Sequence, residues 1–105
     1  MLPPIPQQYV EYLRPDGVFE GSTHGDAEPG YDALWPLEKM ADYNSDVEIE
    51  VYAPRFIAFG GGGGGELLVF DASGAVFMLL MIGMEPRYAT RVADSFRDLA
   101  KRFKA

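Results

Sequence analysis

Three apolar runs in the second half of the chain each have the length and the β-branched or aromatic content of a strand. They are Phe56–Phe59, Leu67–Phe70 and Ala75–Ile82. Two short glycine-bearing breaks, Gly60–Gly65 and Asp71–Gly74, join them. Because connections this short favour antiparallel neighbours, the pattern predicts a meander in the middle of one sheet.

The third run is almost free of polar residues, which predicts a strand that is central or covered on both faces. Three methionines, Met78, Met81 and Met84, lie in or just after it. Unbranched methionine side chains fill irregular gaps in a core, and buried gap-filling is the preferred interpretation here. An adaptable contact surface is the alternative.

Helical spacing of apolar residues occurs in three other places. It predicts a short helix over about Pro6–Leu13, which Pro15 prevents from continuing, and a second helix over Pro36–Tyr43. Ser95 is placed to cap a third helix, with Asp98 at capping-box spacing. The apolar stripe of this last helix consists of Phe96, Leu99, Ala100 and Phe103.

Shorter segments complete the predicted architecture. Val18–Glu20 and Tyr31–Trp35 are candidate strands, and the polar, glycine-rich segment Gly21–Gly30 is a loop between them. Val47–Tyr52 alternates apolar and charged residues as a one-sided strand does, with an extended loop before a proline as the alternative. Residues 85–93 are expected to cross over to the last helix. Residues 1–105 are therefore predicted to form one α+β domain, a mainly antiparallel twisted sheet with helices packed against it.

Composition narrows the possible compartments and chemistries. The chain has 105 residues and no cysteine, which excludes a disulfide framework, a thiol nucleophile and a cysteine zinc site. Residues 1–6 have neither a basic start nor an apolar run, and no segment has the roughly 20 apolar residues that a membrane helix needs. We expect a cytoplasmic protein that makes no membrane contact.

Charge is unevenly distributed along the chain, whose net value is −7. Between Asp16 and Glu50 ten acidic residues face Lys39 alone, which gives −9, whereas six bases and two acids from Arg87 onward give +4. An acidic body disfavours direct nucleic-acid binding, which needs a basic surface. It suits attraction of a basic protein. On charge alone, ordinary solubilising charge is the favoured explanation.

Candidate chemistry is sparse. His24, Asp26 and Glu28 are metal-ligand types, but a loop with a single histidine offers no rigid first shell, so no metal is expected. The six glycines Gly60–Gly65 could cradle a phosphate, yet Glu66 and a strand follow them where a phosphate loop needs Gly-Lys-Ser/Thr. A hairpin loop is the favoured interpretation, with close approach of a partner's backbone as the alternative. The sequence predicts no cofactor and no enzyme.

An ordered set of short motifs covers nearly the whole chain. It comprises Ile5–Leu13, Leu34–Met40 (L-W-P-L-E-K-M), Pro54, Phe59–Gly60, Gly64–Glu66, Phe70–Asp71, Ile82–Gly83 and Ala93–Phe96. In this order the motifs resemble the Smi/Knr superfamily, also called SUKH. The family often carries a polar or acidic pair inside the glycine turn, where this chain has Gly61 and Gly62.

The resemblance implies a non-catalytic binding module. Many bacterial members resemble immunity proteins, which bind and neutralise a toxin domain, and fungal relatives regulate cell-wall synthesis. By analogy an acidic patch masks a toxin domain, for which a basic nuclease-like domain is the candidate. Charge and loop position select exposed acids and the glycine turn as contacts. A regulatory scaffold with an endogenous partner and a small-ligand or nucleotide binder using the glycine loop are the alternatives. The candidate partner-binding residues are Glu20, Asp26, Glu28, Asp32, Asp46, Glu48, Glu50, Gly62, Gly63 and Glu66.

Overall fold

The computed structural model describes residues 2–16, 20–23, 30–62 and 64–103. Within these ranges a helix comes first, two strands and two helices follow, and the remaining strands precede a last helix. The strands are β1 (Glu20–Ser22), β2 (Tyr31–Leu34), β3 (Ile57–Gly61), β4 (Glu66–Phe70), β5 (Val76–Leu80) and β6 (Thr90–Ala93). The helices are α1 (Gln7–Asp16), α2 (Leu37–Asp46), α3 (Ile49–Tyr52) and α4 (Phe96–Ala100), with a 3-10 turn at Pro86–Tyr88.

All six strands form one sheet whose spatial order is the order of the chain, and every neighbouring pair is antiparallel. The predicted meander is confirmed, because β3, β4 and β5 lie side by side in its middle. The α+β class is confirmed as well. Short turns explain the order in the middle of the sheet, where β3, β4 and β5 follow one another as hairpins. Between β2 and β3 the chain instead passes through α2 and α3 before it returns beside β2.

Alternation along the central strands sends side chains to two separate apolar clusters. Phe59 faces the first cluster, which α1 and α4 cover, and its neighbour Ala58 faces the second, to which α3 contributes Ile49. Both faces of the middle of the sheet are therefore buried. The first cluster consists of Tyr9, Leu34, Met40, Ile57, Phe59, Leu68, Phe70, Val76, Ala93, Phe96 and Leu99. The second consists of Ile49, Ala53, Phe56, Ala58, Leu67, Val69, Leu79 and Met84.

The terminal helices dock as their patterns predict. Tyr9 of α1 is fully buried, and its hydroxyl donates to the Trp35 carbonyl at 2.5 Å. The Ser95 hydroxyl caps α4 by accepting the Asp98 N–H at 3.2 Å. Phe96 then packs edge-on against Tyr9 at 5.0 Å between ring centroids, which joins the two helices over the sheet.

Helix α1 is longer than predicted. It runs to Asp16 and includes Pro15, so the prediction that this proline prevents continuation is wrong. A proline lacks the N–H that would donate to the carbonyl of the residue four positions earlier. Near the end of a helix this is the only backbone hydrogen bond that is lost, so the last turn can include a proline. The helix ends one residue later.

Helix α2 also extends beyond its predicted end at Tyr43, as far as Asp46. Pro36 lies just before the helix as its N-cap rather than at its first position. Asn44 is buried in the extension, and its side chain joins the helix to β3. The amide donates to the carbonyls of Met40 at 2.8 Å and Ala58 at 2.9 Å and accepts the Ala58 N–H at 2.8 Å.

Val47–Tyr52 does not form the predicted strand. Glu48 takes a left-handed backbone (φ 57, ψ 40), and Ile49–Tyr52 coils into α3. The helix places Ile49 and Ala53, four residues apart, into the second cluster. Burial of this pair outweighs the strand-like alternation of the segment.

Three segments that were predicted to lie outside the strands contain strand residues in the structure. The predicted crossing segment contains β6, which pairs with β5. Gly21 and Ser22 belong to β1 rather than to a loop, and Thr23 forms a bridge to Phe103. The glycine break is shorter than predicted, because Gly60 and Gly61 belong to β3. Of the predicted strand Val18–Glu20, Val18 and Phe19 lie outside the described residues.

Candidate functional site

The predicted contact residues fall in three separate places. Glu20 and Asp32 lie on the neighbouring strands β1 and β2. Gly62 and Glu66 belong to the glycine turn between β3 and β4. A third set, Asp46, Glu48 and Glu50, marks the junction of α2 and α3, which we call the acidic corner. The remaining candidates Asp26, Glu28 and Gly63, and His24 with them, lie outside the described residues.

The three acids of the acidic corner are all exposed. Asp46 ends α2, whose last turn has no basic residue, and Glu50 lies in the first turn of α3. A carboxylate at a helix C-terminus opposes the helix dipole, so Asp46 is placed at a cost in stability. The corner thus concentrates negative potential, and at Asp46 it does so against the dipole of α2.

The glycine turn is organised by Glu66. The Glu66 carboxylate accepts the Gly64 N–H at 3.1 Å, and the Glu66 carbonyl accepts the Gly62 N–H at 3.0 Å. Gly62 is buried, which corrects its assignment as an exposed contact. The Glu66 carboxylate thus occupies an amide that a phosphate would need and adds negative charge beside it, which disfavours phosphate binding in the described part of this turn.

Beside the glycine turn lies an exposed apolar segment, of which the sequence pattern indicated only Met81, as part of an alternative contact surface. The Met81 N–H bonds to the Gly65 carbonyl at 2.9 Å, and Glu66 pairs with Leu80 across the sheet. Leu80 is 57% exposed, Met81 44% and Ile82 94%. The run was predicted to be central in the sheet or covered on both faces. The central position is confirmed, because β5 lies between β4 and β6, whereas coverage on both faces does not extend to Leu80–Ile82.

The chain leaves β5 through a turn that exposes these side chains. Gly83 (φ +82) and Met84 (φ 41) both have left-handed backbone, and Met84 returns into the second cluster at 4% exposure. Met84 thus fills the core as predicted for the methionines, whereas Met81 does not. The Gly83 and Pro86 that follow the apolar run are breaker residues that could have indicated its early end.

Exposed aromatic side chains extend the apolar segment on both sides. A cavity of about 430 Å³ is lined by Asp46, Val47, Tyr52, Met81, Gly83 and Met84. A second cavity of about 310 Å³ shares Gly83 with it and is lined also by Leu80, Ile82, Glu85, Arg87 and Tyr88. The two cavities and the segment between them form one continuous surface with the acidic corner, which we call the candidate surface.

Asp32 is not available to a partner, which corrects its expected exposure. It is 0% exposed, and neither carboxylate oxygen has a hydrogen-bond partner among the described residues. Asp32 shares the face of β2 that Leu34 presents to the first cluster. Burial raises the pKa of Asp32 from 3.8 to about 6, against the opposing effect of the Arg102 guanidinium.

Replacing Asp32 by asparagine is expected to raise the free energy of unfolding by about 1–3 kcal/mol near pH 8. The folded state holds this proton more tightly than the unfolded state, so its contribution is complete below pH 3.8 and is lost as pH rises through about 6. The difference between variant and parent should therefore grow between about pH 4 and pH 7 in urea titrations. The exposed variant Asp42→Asn serves as control, and a pH-independent difference for Asp32→Asn would contradict the assignment.

The comparisons with known proteins assign the family. Residues 4–102 match the model of the SMI1 / KNR4 family (SUKH-1), so the chain belongs to this family, as the sequence motifs predicted. Members of the family are known for immunity-protein-like roles and are generally non-catalytic. A search of curated proteins gives no match.

Two further searches cover the described residues only. Within these ranges, no group of three or more His, Cys, Asp or Glu side chains could hold a metal ion. No helix in the same part of the chain is long and apolar enough to cross a membrane.

Proposed function

We propose that this chain is an immunity-type protein that binds a toxin domain through the candidate surface and neutralises it without chemistry of its own. The observation that carries the proposal is the exposure of the apolar segment, above all of Ile82 at 94%. Contiguous exposed apolar side chains rimmed by polar groups mark protein-binding sites. Membership of a family known for immunity-protein-like roles supports the immunity role.

Negative charge supports a basic partner. The net charge of −7 and the acidic corner attract a positively charged domain, such as a nuclease that itself binds nucleic acid. Attraction of this kind accelerates association and weakens as salt screens it. The apolar segment would then supply the contact area that keeps the complex together.

The test is growth rescue. We expect a neighbouring gene to encode a long protein whose C-terminal domain is toxic. When the chain is co-expressed with that domain, growth should be restored and the two proteins should co-purify. Ile82→Asp should reduce affinity at least about tenfold, since it places a charge in an apolar contact. Because Ile82 is almost fully exposed, the variant should melt at the parental temperature.

Ala72→Asp is the matched control. Ala72 is also exposed but lies in the β4–β5 turn, at the opposite end of β5 from Leu80. It should rescue growth like the parent. Failure of the folded parent chain to rescue, together with co-purification of an endogenous cellular protein, would instead favour the regulatory scaffold.

A further inference from the structure

The larger cavity of the candidate surface has the features of an anchor pocket. We propose that it binds an apolar side chain of a partner protein that is carried next to a lysine or arginine. This inference rests on the proposed function and names the chemistry of the contact. At about 430 Å³, the cavity is within the range of about 300–1,000 Å³ that is usual for sites that enclose a small ligand group.

The apolar walls of the cavity connect the core to the surface. Met84 is buried in the second cluster, whereas Met81 and Tyr52 are exposed. Methionine side chains adapt to the shape of a bound group because they are unbranched and polarizable. An apolar side chain entering here would contact these residues and would lose part of its contact with water.

Asp46, the acidic residue in the wall of the cavity, favours a positively charged residue next to the bound apolar side chain. Asp46 lines the cavity and has no ion-pair partner among the described residues. Its carboxylate and the C-terminal end of the α2 dipole both attract a cation, and the exposed Glu48 and Glu50 follow directly. The nearest positive group at the other cavity, Arg87, is already paired with Glu85 at 3.0 Å.

Backbone strain lies at the same place. Glu48 and Met84 are the two non-glycine residues with positive φ in the described ranges. Met84 lines the cavity, and Glu48 adjoins its lining residue Val47. Left-handed backbone at such residues persists where the surrounding structure imposes it, and it is concentrated at ligand-binding sites.

Methyl-labelled methionine makes the test direct, since the chain has five methionines and two of them line the cavity. The protein is titrated with the peptide acetyl-Lys-Leu-Lys-amide while the methionine methyl signals are followed by NMR. We expect Met81 and Met84 to shift and Met40, buried in the first cluster, to stay unchanged. Acetyl-Glu-Leu-Glu-amide and acetyl-Lys-Ser-Lys-amide should bind at least about fivefold more weakly.

Asp46→Asn should reduce the preference for the lysine peptide over the glutamate peptide at least about threefold, whereas the α2 dipole and the neighbouring Glu48 and Glu50 preserve part of it. Glu38→Gln, an exposed change in the first turn of the same helix, should preserve it. The inference is overturned by unshifted Met81 and Met84, or by equal binding of all three peptides. Shifts that depend on protein concentration without peptide would assign the cavity to a second copy of the chain and would also overturn it.

The two proposals can fail separately. Growth rescue by the parent with no peptide response at Met81 and Met84 would reject the anchor pocket and leave the immunity role intact. Peptide binding with Lys selectivity but no rescue would reject the immunity role and leave the pocket intact.

Discussion

Replacing Asn44 by alanine is expected to lower the free energy of unfolding by about 3 kcal/mol. Strand β2 ends at Leu34, whose partner on β3 is Gly60, so Ala58 extends beyond the ladder. The Asn44 amide takes the place of the missing strand by bonding both the N–H and the carbonyl of Ala58. Without it, two buried backbone groups lose their partners, at about 1–3 kcal/mol each before relaxation.

Two companion variants sharpen this test. Asn44→Asp keeps the size of the side chain but faces the carbonyls of Met40 and Ala58 with a carboxylate, and should destabilise at least as much. Ser45→Ala changes the exposed neighbour and should remain within about 0.5 kcal/mol of the parent. Urea unfolding measures all three. Parental stability of both Asn44 variants would show that the amide does not hold α2 to β3.

Replacing Gly60 by alanine is expected to lower the free energy of unfolding by about 2–4 kcal/mol. A Cβ at this position would lie 2.6 Å from the Ala33 carbonyl oxygen and 3.3 Å from the Leu34 Cα. Both are backbone atoms of β2, which cannot rotate away as a side chain does. The strand would have to move, and its two-residue pairing with β3 would be lost.

The next glycine supplies the control. At Gly61 the nearest atom to an added Cβ is the Glu66 carbonyl oxygen at 3.6 Å, an ordinary contact. Gly61→Ala should therefore leave stability unchanged or raise it by up to about 1 kcal/mol, because alanine restricts the unfolded chain. Thermal unfolding compares the two variants. Equal melting temperatures would mean that the close approach of β2 does not require a glycine.

The sequence predicted those parts of the fold that local chemistry determines. The meander follows from three apolar runs joined by short glycine-bearing turns, and the Ser95 cap follows from spacing alone. The α3 segment was predicted to be a strand because a pattern of six alternating residues is too short to distinguish the two-residue period of a strand from the 3.6-residue period of a helix. Its helical form depends on the left-handed backbone of Glu48 and on burial of Ile49, and both depend on packing.

The candidate site was less predictable, because exposure is a property of the whole fold. Acidity indicated Asp46, which the structure places at a cavity, and equally Asp32, which it buries. Hydropathy placed Ile82 inside, although the turn after β5 leaves it exposed. Residue type predicts neither outcome, because aspartates are usually exposed and isoleucines usually buried, whereas Asp32 is buried and Ile82 is exposed.

Strand order that follows chain order has a consequence for how the domain folds. No strand pair of the sheet needs a crossover connection. The segment from Ile57 to Leu80 can therefore form its strand pairs by closing two short loops, β3–β4 and β4–β5, at a low entropic cost. Contacts of this kind are made early and quickly. The central hairpins should form the folding nucleus, and docking of Tyr9 against Phe96, which are far apart in sequence, should follow as the later step.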